Sequence, residues 1–143
     1  MTERRLRAAT GTLALVGLGI AAYLTYVRYA GAAIACTTGG CEKVQSSSYS
    51  ELAGIPVAVI GLAGYSAILA TAFVASEVGA LAAAALTLAG FAFAVYLVYV
   101  QVALIEAVCQ WCLASDAVTA ALVAVSLLRV RATAGRVSAE SPG

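Results

Sequence analysis

Residues 104–118 read LIEAVCQWCLASDAV and place two cysteines, Cys109 and Cys112, at the junction of two long apolar runs. Residues 78–105 carry no charged side chain, and residues 107–128 carry one, Asp116. A helix that crosses a membrane needs about 20 mostly apolar residues. The stretch therefore predicts two consecutive membrane helices, with a C-x-x-C pair at the start of the second.

Two further uncharged runs precede this stretch, at residues 8–27 and 52–76. The chain of 143 residues is 63% hydrophobic and 10% charged, whereas a soluble domain is about 25% charged. The sequence therefore predicts an all-α membrane protein, a four-transmembrane-helix bundle that forms a single domain over residues 1–143. The predicted spans lie near residues 9–29, 56–76, 80–104 and 109–128.

The positive charges predict the orientation, because loops rich in Lys and Arg stay on the cytoplasmic side. Three arginines precede the first span and three follow the fourth: Arg4, Arg5, Arg7, Arg129, Arg131 and Arg136. Both termini are therefore expected in the cytoplasm, with a disordered tail from about residue 132 to 143. The segment 30–55 becomes an extracytoplasmic loop. A cleaved signal peptide is the alternative for the first run, although that run is long for one.

Within the outer loop, the residues VQSSSYSELA predict a short helix at the membrane interface. Val44, Tyr49 and Leu52 recur at roughly helical spacing there. A plain serine-rich loop is the alternative, and the sequence does not decide between them. Pro56 follows and suits the first turn of the second span, where a missing N–H is harmless.

This topology brings all four cysteines to the outer, oxidising side, where disulfides persist. Cys36 and Cys41 lie in the outer loop, and Cys109 and Cys112 open the last span. The first turn of a helix stabilises a thiolate, which suits a reactive pair. Three interpretations stay open: a relay between two dithiols through mixed disulfides, two structural disulfides, or a four-cysteine zinc site.

Two longer segments carry a resemblance to a known family: CEKVQSSSYSELAGIPVAVIGLAGY at residues 41–65 and YLVYVQVALIEAVCQWCLAS at residues 96–115. With the four spans and the outer cysteine pair, they resemble the bacterial branch of the vitamin K epoxide reductase family. The resemblance implies a four-helix bundle around a quinone, either menaquinone or ubiquinone, and no metal. It also implies a secreted or periplasmic thioredoxin-fold (DsbA-like) partner, here as a separate protein.

The resemblance further implies roles for single residues. Cys109 and Cys112 are expected to be the active-site pair, with Cys112 facing the quinone. Cys36 is expected to exchange with the partner protein, and Cys41 to form the transient bond to Cys109. Ser47 matches a serine that lies near the quinone in this family.

Three other residues are candidates for the quinone site on their positions alone. Asp116 lies one turn after Cys112 on the same helix face, and an ionisable group within a span is a functional candidate. Its alternative is a shallow, solvated position near the helix N-terminus. Tyr96 and Tyr99 lie deep enough in the third span to line a pocket, and interface anchoring or packing is their alternative.

The predicted function is that of a thiol:quinone oxidoreductase in the bacterial cytoplasmic membrane that supports disulfide formation. Two alternatives stand beside it: a vitamin K quinone or epoxide reductase, and a non-enzymatic membrane protein with structural disulfides. Animal relatives place a tyrosine at the position of Asp116 and use an asparagine toward the substrate, and this chain has no asparagine. Both departures favour simple quinone reduction.

Overall fold

The computed structural model describes residues 2–37 and 39–140, and four helices dominate it: α1 (Glu3–Ala30), α3 (Val57–Thr71), α4 (Glu77–Tyr99) and α5 (Gln110–Glu140). Three helical segments are long and apolar enough to cross a membrane: Glu3–Ala30, Glu77–Ile105 and Gln110–Glu140. The fourth, α3, is apolar but has 15 residues, or about 22 Å of helix at 1.5 Å per residue.

Local sequence signals explain where the long helices begin and end. Thr2 caps α1 by accepting the backbone N–H of Arg5, and Gly31 ends this helix at a φ of 64°. Ser76 caps α4 by accepting the N–H of Gly79. A hydroxyl at the N-cap and a left-handed glycine after the last turn satisfy backbone groups that the helix leaves unpaired.

The loop between α1 and α3 folds into small elements. A short helix, α2, covers Cys41–Ser46, and a 3₁₀ turn covers Ser48–Ser50. Two short antiparallel strands follow, β1 (Glu51–Leu52) and β2 (Ile55–Pro56). A helix does form in this loop, but it is shorter and earlier than the predicted one, since Leu52 lies in a strand. Neither the predicted short helix over VQSSSYSELA nor a plain loop describes the segment.

The loop is fastened to the last turn of α1 by one arginine. Arg28 donates to the backbone carbonyl of Gln45 at 2.6 Å and to the Ser50 hydroxyl at 2.9 Å. It also forms an ion pair with Glu51. A single guanidinium therefore fixes α2, the 3₁₀ turn and β1 relative to α1.

The helices alternate in direction between two ends of the bundle. At one end, Arg129 of α5 contacts the Glu3 carboxylate and the Thr71 carbonyl at 3.4 Å each. Arg7 of α1 donates to the Ala72 carbonyl at 2.8 Å. The start of α1, the end of α3 and the later part of α5 therefore lie together, and the cysteines lie at the opposite end.

Two predicted boundaries differ from the structure. α3 ends at Thr71 rather than near residue 76. The disordered tail predicted from residue 132 is wrong within the described residues, because α5 continues to Glu140 and Thr133 is buried. Thr133 also bonds to the Arg129 carbonyl at 3.0 Å. Residues 141–143 of that predicted tail lie outside the described residues.

Candidate functional site

Cys36 and Cys41 form a disulfide in the outer loop, with their Cα atoms 6.1 Å apart. Gly39 turns the chain between them with a φ of 77°, a conformation that glycine adopts without strain. The Cys41 side chain is fully buried, whereas Cys36 is half-buried. The two sulfurs thus differ in access: Cys36 lies nearer the surface and Cys41 faces inward.

Cys109 and Cys112 are free thiols at the start of α5. The backbone N–H of Cys112 lies 3.3 Å from the Cys109 sulfur. An N–H donor at this sulfur stabilises the thiolate of Cys109, and the thiolate is the reactive form in thiol–disulfide exchange.

The two cysteine pairs meet in one buried cluster. Cys41 and Cys109 are each fully buried and pack with Val44, Val100 and Ile105. Gly40 allows this approach, because a Cβ there would lie 2.5 Å from the Val108 carbonyl oxygen. The residue before Cys41 therefore packs on the backbone of the residue before Cys109.

The two residues between the inner cysteines hold the backbone on either side of Cys36. Trp111 donates its indole N–H to the Ala35 carbonyl, and Gln110 accepts the Thr37 backbone N–H at 2.9 Å. Tyr23 packs on Trp111 with ring centroids 4.9 Å apart. The C-x-x-C turn thus positions the outer pair as well as supplying the inner one.

A short π-helix, Val100–Ile105, connects α4 to the turn before Cys109. Gln101, which is 2% exposed, accepts the Cys109 backbone N–H at 2.8 Å through its side chain. Its backbone carbonyl accepts the Ala107 N–H at 3.1 Å. π-helical turns are rare in proteins overall, but those that occur are often found at functional sites. This one fixes the backbone position of Cys109.

A cavity of about 350 Å³ opens inside the bundle beside the inner cysteine pair. Most of its lining is apolar, and the largest share comes from α3 and α4, including Ile60, Gly64, Phe93 and Leu97. Among its polar lining groups are four that converge from the loop and from α5: Cys112, Gln45, Ser47 and Asp116. An apolar cleft with a few placed polar groups suits a flat molecule with polar oxygens, and a quinone ring is one.

The candidate residues for this cavity divide into two groups. Ser47 and Asp116 line it together with Cys112. One carboxylate oxygen of Asp116 is buried without a hydrogen-bond partner among the described residues, and the residue as a whole is partly exposed in the second turn of α5. Tyr96 and Tyr99 are 48% and 59% exposed and lie outside the lining. The structure does not bring either tyrosine into this lining, and their assignment to the quinone site stays a prediction.

Sequence reasoning missed three glutamines and a tryptophan at the site: Gln45, Gln101, Gln110 and Trp111. Gln101 had a usable signal, because an amide in an uncharged run of membrane length usually has a specific partner. The roles of Gln110 and Trp111 depend on a contact with a segment far away in sequence. Gln45 gave no signal in the sequence at all.

The structure also bears on the zinc alternative. Cys36 and Cys41 are bonded to each other. In the part of the chain that the structure describes, no group of three or more Cys, Asp or Glu side chains has the arrangement of a metal site. The arrangement that the geometry does provide is a disulfide packed against a dithiol.

Comparison with protein families agrees with this geometry. Residues 8–127 match the sequence model of the vitamin K epoxide reductase family. The matched range includes all four cysteines, the outer loop, the cavity lining and most of α5. Members of this family are membrane redox enzymes that use quinones and interact with thioredoxin-like proteins. With three helices able to cross a membrane and this match over most of its length, the chain is an integral membrane protein that belongs to the vitamin K epoxide reductase family.

Proposed function

We propose that the protein is a thiol:quinone oxidoreductase that reoxidises a secreted thioredoxin-fold protein and passes the electrons to a membrane quinone. One observation supports this most strongly: Cys41 and Cys109 are buried in one cluster, and Cys112 lines the adjoining cavity. The four sulfurs therefore form a path from the partly exposed Cys36 to the cavity inside the bundle. A chain of dithiols passes electrons by exchange through mixed disulfides.

The proposed topology has four crossings of the bacterial cytoplasmic membrane, with both termini inside. The contact between Glu3 and Arg129 supports an even number of crossings, since it joins the start of α1 to the later part of α5. α3 is short for a span, but a membrane can thin locally around a short helix. The cysteines then face the oxidising side.

In the first proposed step, the dithiol of the partner reduces the Cys36–Cys41 disulfide through attack on Cys36, and the partner leaves oxidised. Cys36 is the more exposed residue of the pair, which supports this direction. In the second step, Cys41 attacks Cys109 in the oxidised inner pair, and the electron pair of the broken bond moves to Cys112. Cys36 then attacks Cys41, which restores the outer disulfide and leaves Cys109 and Cys112 as thiols.

The placement of the two pairs supports this relay. Cys36 and Cys41 are bonded to each other, and Cys109 and Cys112 lie against them as a second pair beside the cavity.

Residues of the cavity support the final transfer. A bound quinone accepts two electrons and two protons when it becomes a quinol. Cys112 lies against the cavity and supplies the electrons from the inner pair. We propose that the buried carboxyl of Asp116 moves a proton at its unpartnered oxygen, and that the Ser47 hydroxyl helps to orient the ring. The apolar lining of α3 and α4 keeps water from the dithiol.

The test is quinone reduction by the purified protein in lipid, driven either by a small dithiol or by an oxidisable thioredoxin-fold protein. Cys109→Ala and Cys112→Ala should abolish turnover with both donors. Cys36→Ala should abolish turnover with the protein donor but retain part of the activity with the small dithiol. If Cys36→Ala kept the protein-driven rate, the proposed order of the relay would be wrong.

A further inference from the structure

The outer loop contributes a side chain to the inner cysteine pair as well as a disulfide. The side-chain nitrogen of Gln45 lies 3.3 Å from the Cys112 sulfur and 3.9 Å from the Cys109 sulfur. Gln45 also lines the cavity on the side where Cys112 does. The Gln45 amide can therefore act as a hydrogen-bond donor to the sulfurs that react.

We propose that Gln45 is a catalytic residue of the relay, whose amide N–H stabilises the negative charge that develops on the Cys112 sulfur when Cys41 opens the inner disulfide. This inference rests on the proposed relay and deepens it. In the step concerned, the Cys41–Cys109 bond forms and the Cys109–Cys112 bond breaks. The electron pair goes to the Cys112 sulfur, and no external oxidant or reductant takes part.

Negative charge on the two inner sulfurs is stabilised by different donors, and for Cys112 the donor is the Gln45 amide. Cys109 accepts the backbone N–H of Cys112 at 3.3 Å, so the first turn of α5 serves the first sulfur of the pair. Cys112 is one turn further in, and the Gln45 amide is the donor that reaches it at 3.3 Å. The backbone therefore favours charge on Cys109, and the loop supplies the donor for Cys112.

The position of Gln45 on α2 links its amide to the attack of Cys41 on Cys109. Gln45 follows Cys41 by four residues, so both side chains lie on one face of the helix. The backbone of this helix is held by Arg28, which donates to the Gln45 carbonyl at 2.6 Å. When α2 places Cys41 against Cys109, it therefore places the amide against Cys112 at the same time.

The experiment uses full-length protein with Cys36→Ala, in which Cys41 is a free thiol and the inner pair is prepared as a disulfide. Formation of the Cys41–Cys109 bond releases Cys112, which is trapped by rapid alkylation and counted by mass spectrometry. Three substitutions are added to this parent and compared. Gln45→Leu removes the hydrogen-bond donor, and Gln45→Glu keeps the shape of the side chain but replaces the donor with an acceptor. The third is Lys43→Gln. Lys43 lies on the exposed side of α2 and serves as the matched control.

Release of Cys112 should slow by about tenfold or more in Gln45→Leu and further in Gln45→Glu, while Lys43→Gln releases it at the parent rate. A hydrogen bond to a charged group typically has an effect of this size. Release at the parent rate in both Gln45→Leu and Gln45→Glu, each with the helix content of the parent, would overturn the role of Gln45. Because neither quinone nor partner is present, an absence of any Cys41–Cys109 bond in the parent would instead refute the proposed relay.

Discussion

Replacement of Gly40 by alanine tests whether the close approach of the loop to the C-x-x-C turn sets the rate of electron transfer. Gly40 has a φ of −98° and a ψ of −5°, which alanine also adopts. The substitution therefore adds steric bulk without backbone strain. The added Cβ would lie 2.5 Å from the Val108 oxygen and 2.7 Å from the Val108 nitrogen, and both are backbone atoms.

The magnitude follows from these distances. Ordinary contact begins at 3.4 Å, so the loop and the turn must separate by about 0.9 Å. Cys41 follows Gly40 directly and Cys109 follows Val108. The separation therefore increases the distance between the two sulfurs that exchange. A misplacement of about 1 Å between reacting groups can slow a reaction by 10²-fold. We expect Gly40→Ala to reduce protein-driven quinone reduction by a factor of that order.

The assay compares two electron donors. Turnover with the thioredoxin-fold donor should fall in Gly40→Ala, whereas turnover with a small dithiol that reduces the inner pair directly should stay within about twofold. Gly19→Ala is the matched control, because a Cβ at Gly19 meets nothing within 4 Å. Mass spectrometry confirms that the Cys36–Cys41 disulfide still forms. A Gly40→Ala protein that retains the full protein-driven rate would refute the reasoning.

Two further predictions concern the inner site and the core. Asp116→Asn should lower quinone reduction by about 10²-fold, the lower range for general acid catalysis, and unchanged turnover at every pH would exclude a proton-transfer role. Gly17→Ala would push its Cβ into the Tyr65 ring, so denaturant titration should show a loss of about 1–3 kcal/mol.

The broad arrangement was predictable because membrane topology constrains it so strongly. Uncharged runs of membrane length and the placement of arginines were enough to bring four cysteines to one end of a helical bundle. The family resemblance is confirmed by the match over residues 8–127. The assignments of Ser47 and Asp116 to the quinone site stay predictions, although both side chains line the cavity.

Other features could not be read from the sequence, for identifiable reasons. Helix α4 is apolar on all sides, because lipid and core are both apolar, so its pattern does not indicate which face points inward. The sequence therefore could not show whether Tyr96 and Tyr99 face the cavity. The disordered tail was inferred from polar composition, whereas α5 is stabilised by Arg129, whose partner lies 126 residues earlier. The contact of Gln45 with Cys112 spans 67 residues and has no local signature.

The ion pair between Glu3 and Arg129 has a consequence for the biosynthesis of the protein. The ribosome makes Glu3 long before Arg129, and the Arg129 side chain is fully buried once the helices have packed. A buried charge without its partner is strongly destabilising. The bundle can therefore reach its final packing, with Arg129 buried against Glu3, only after the last helix has been made.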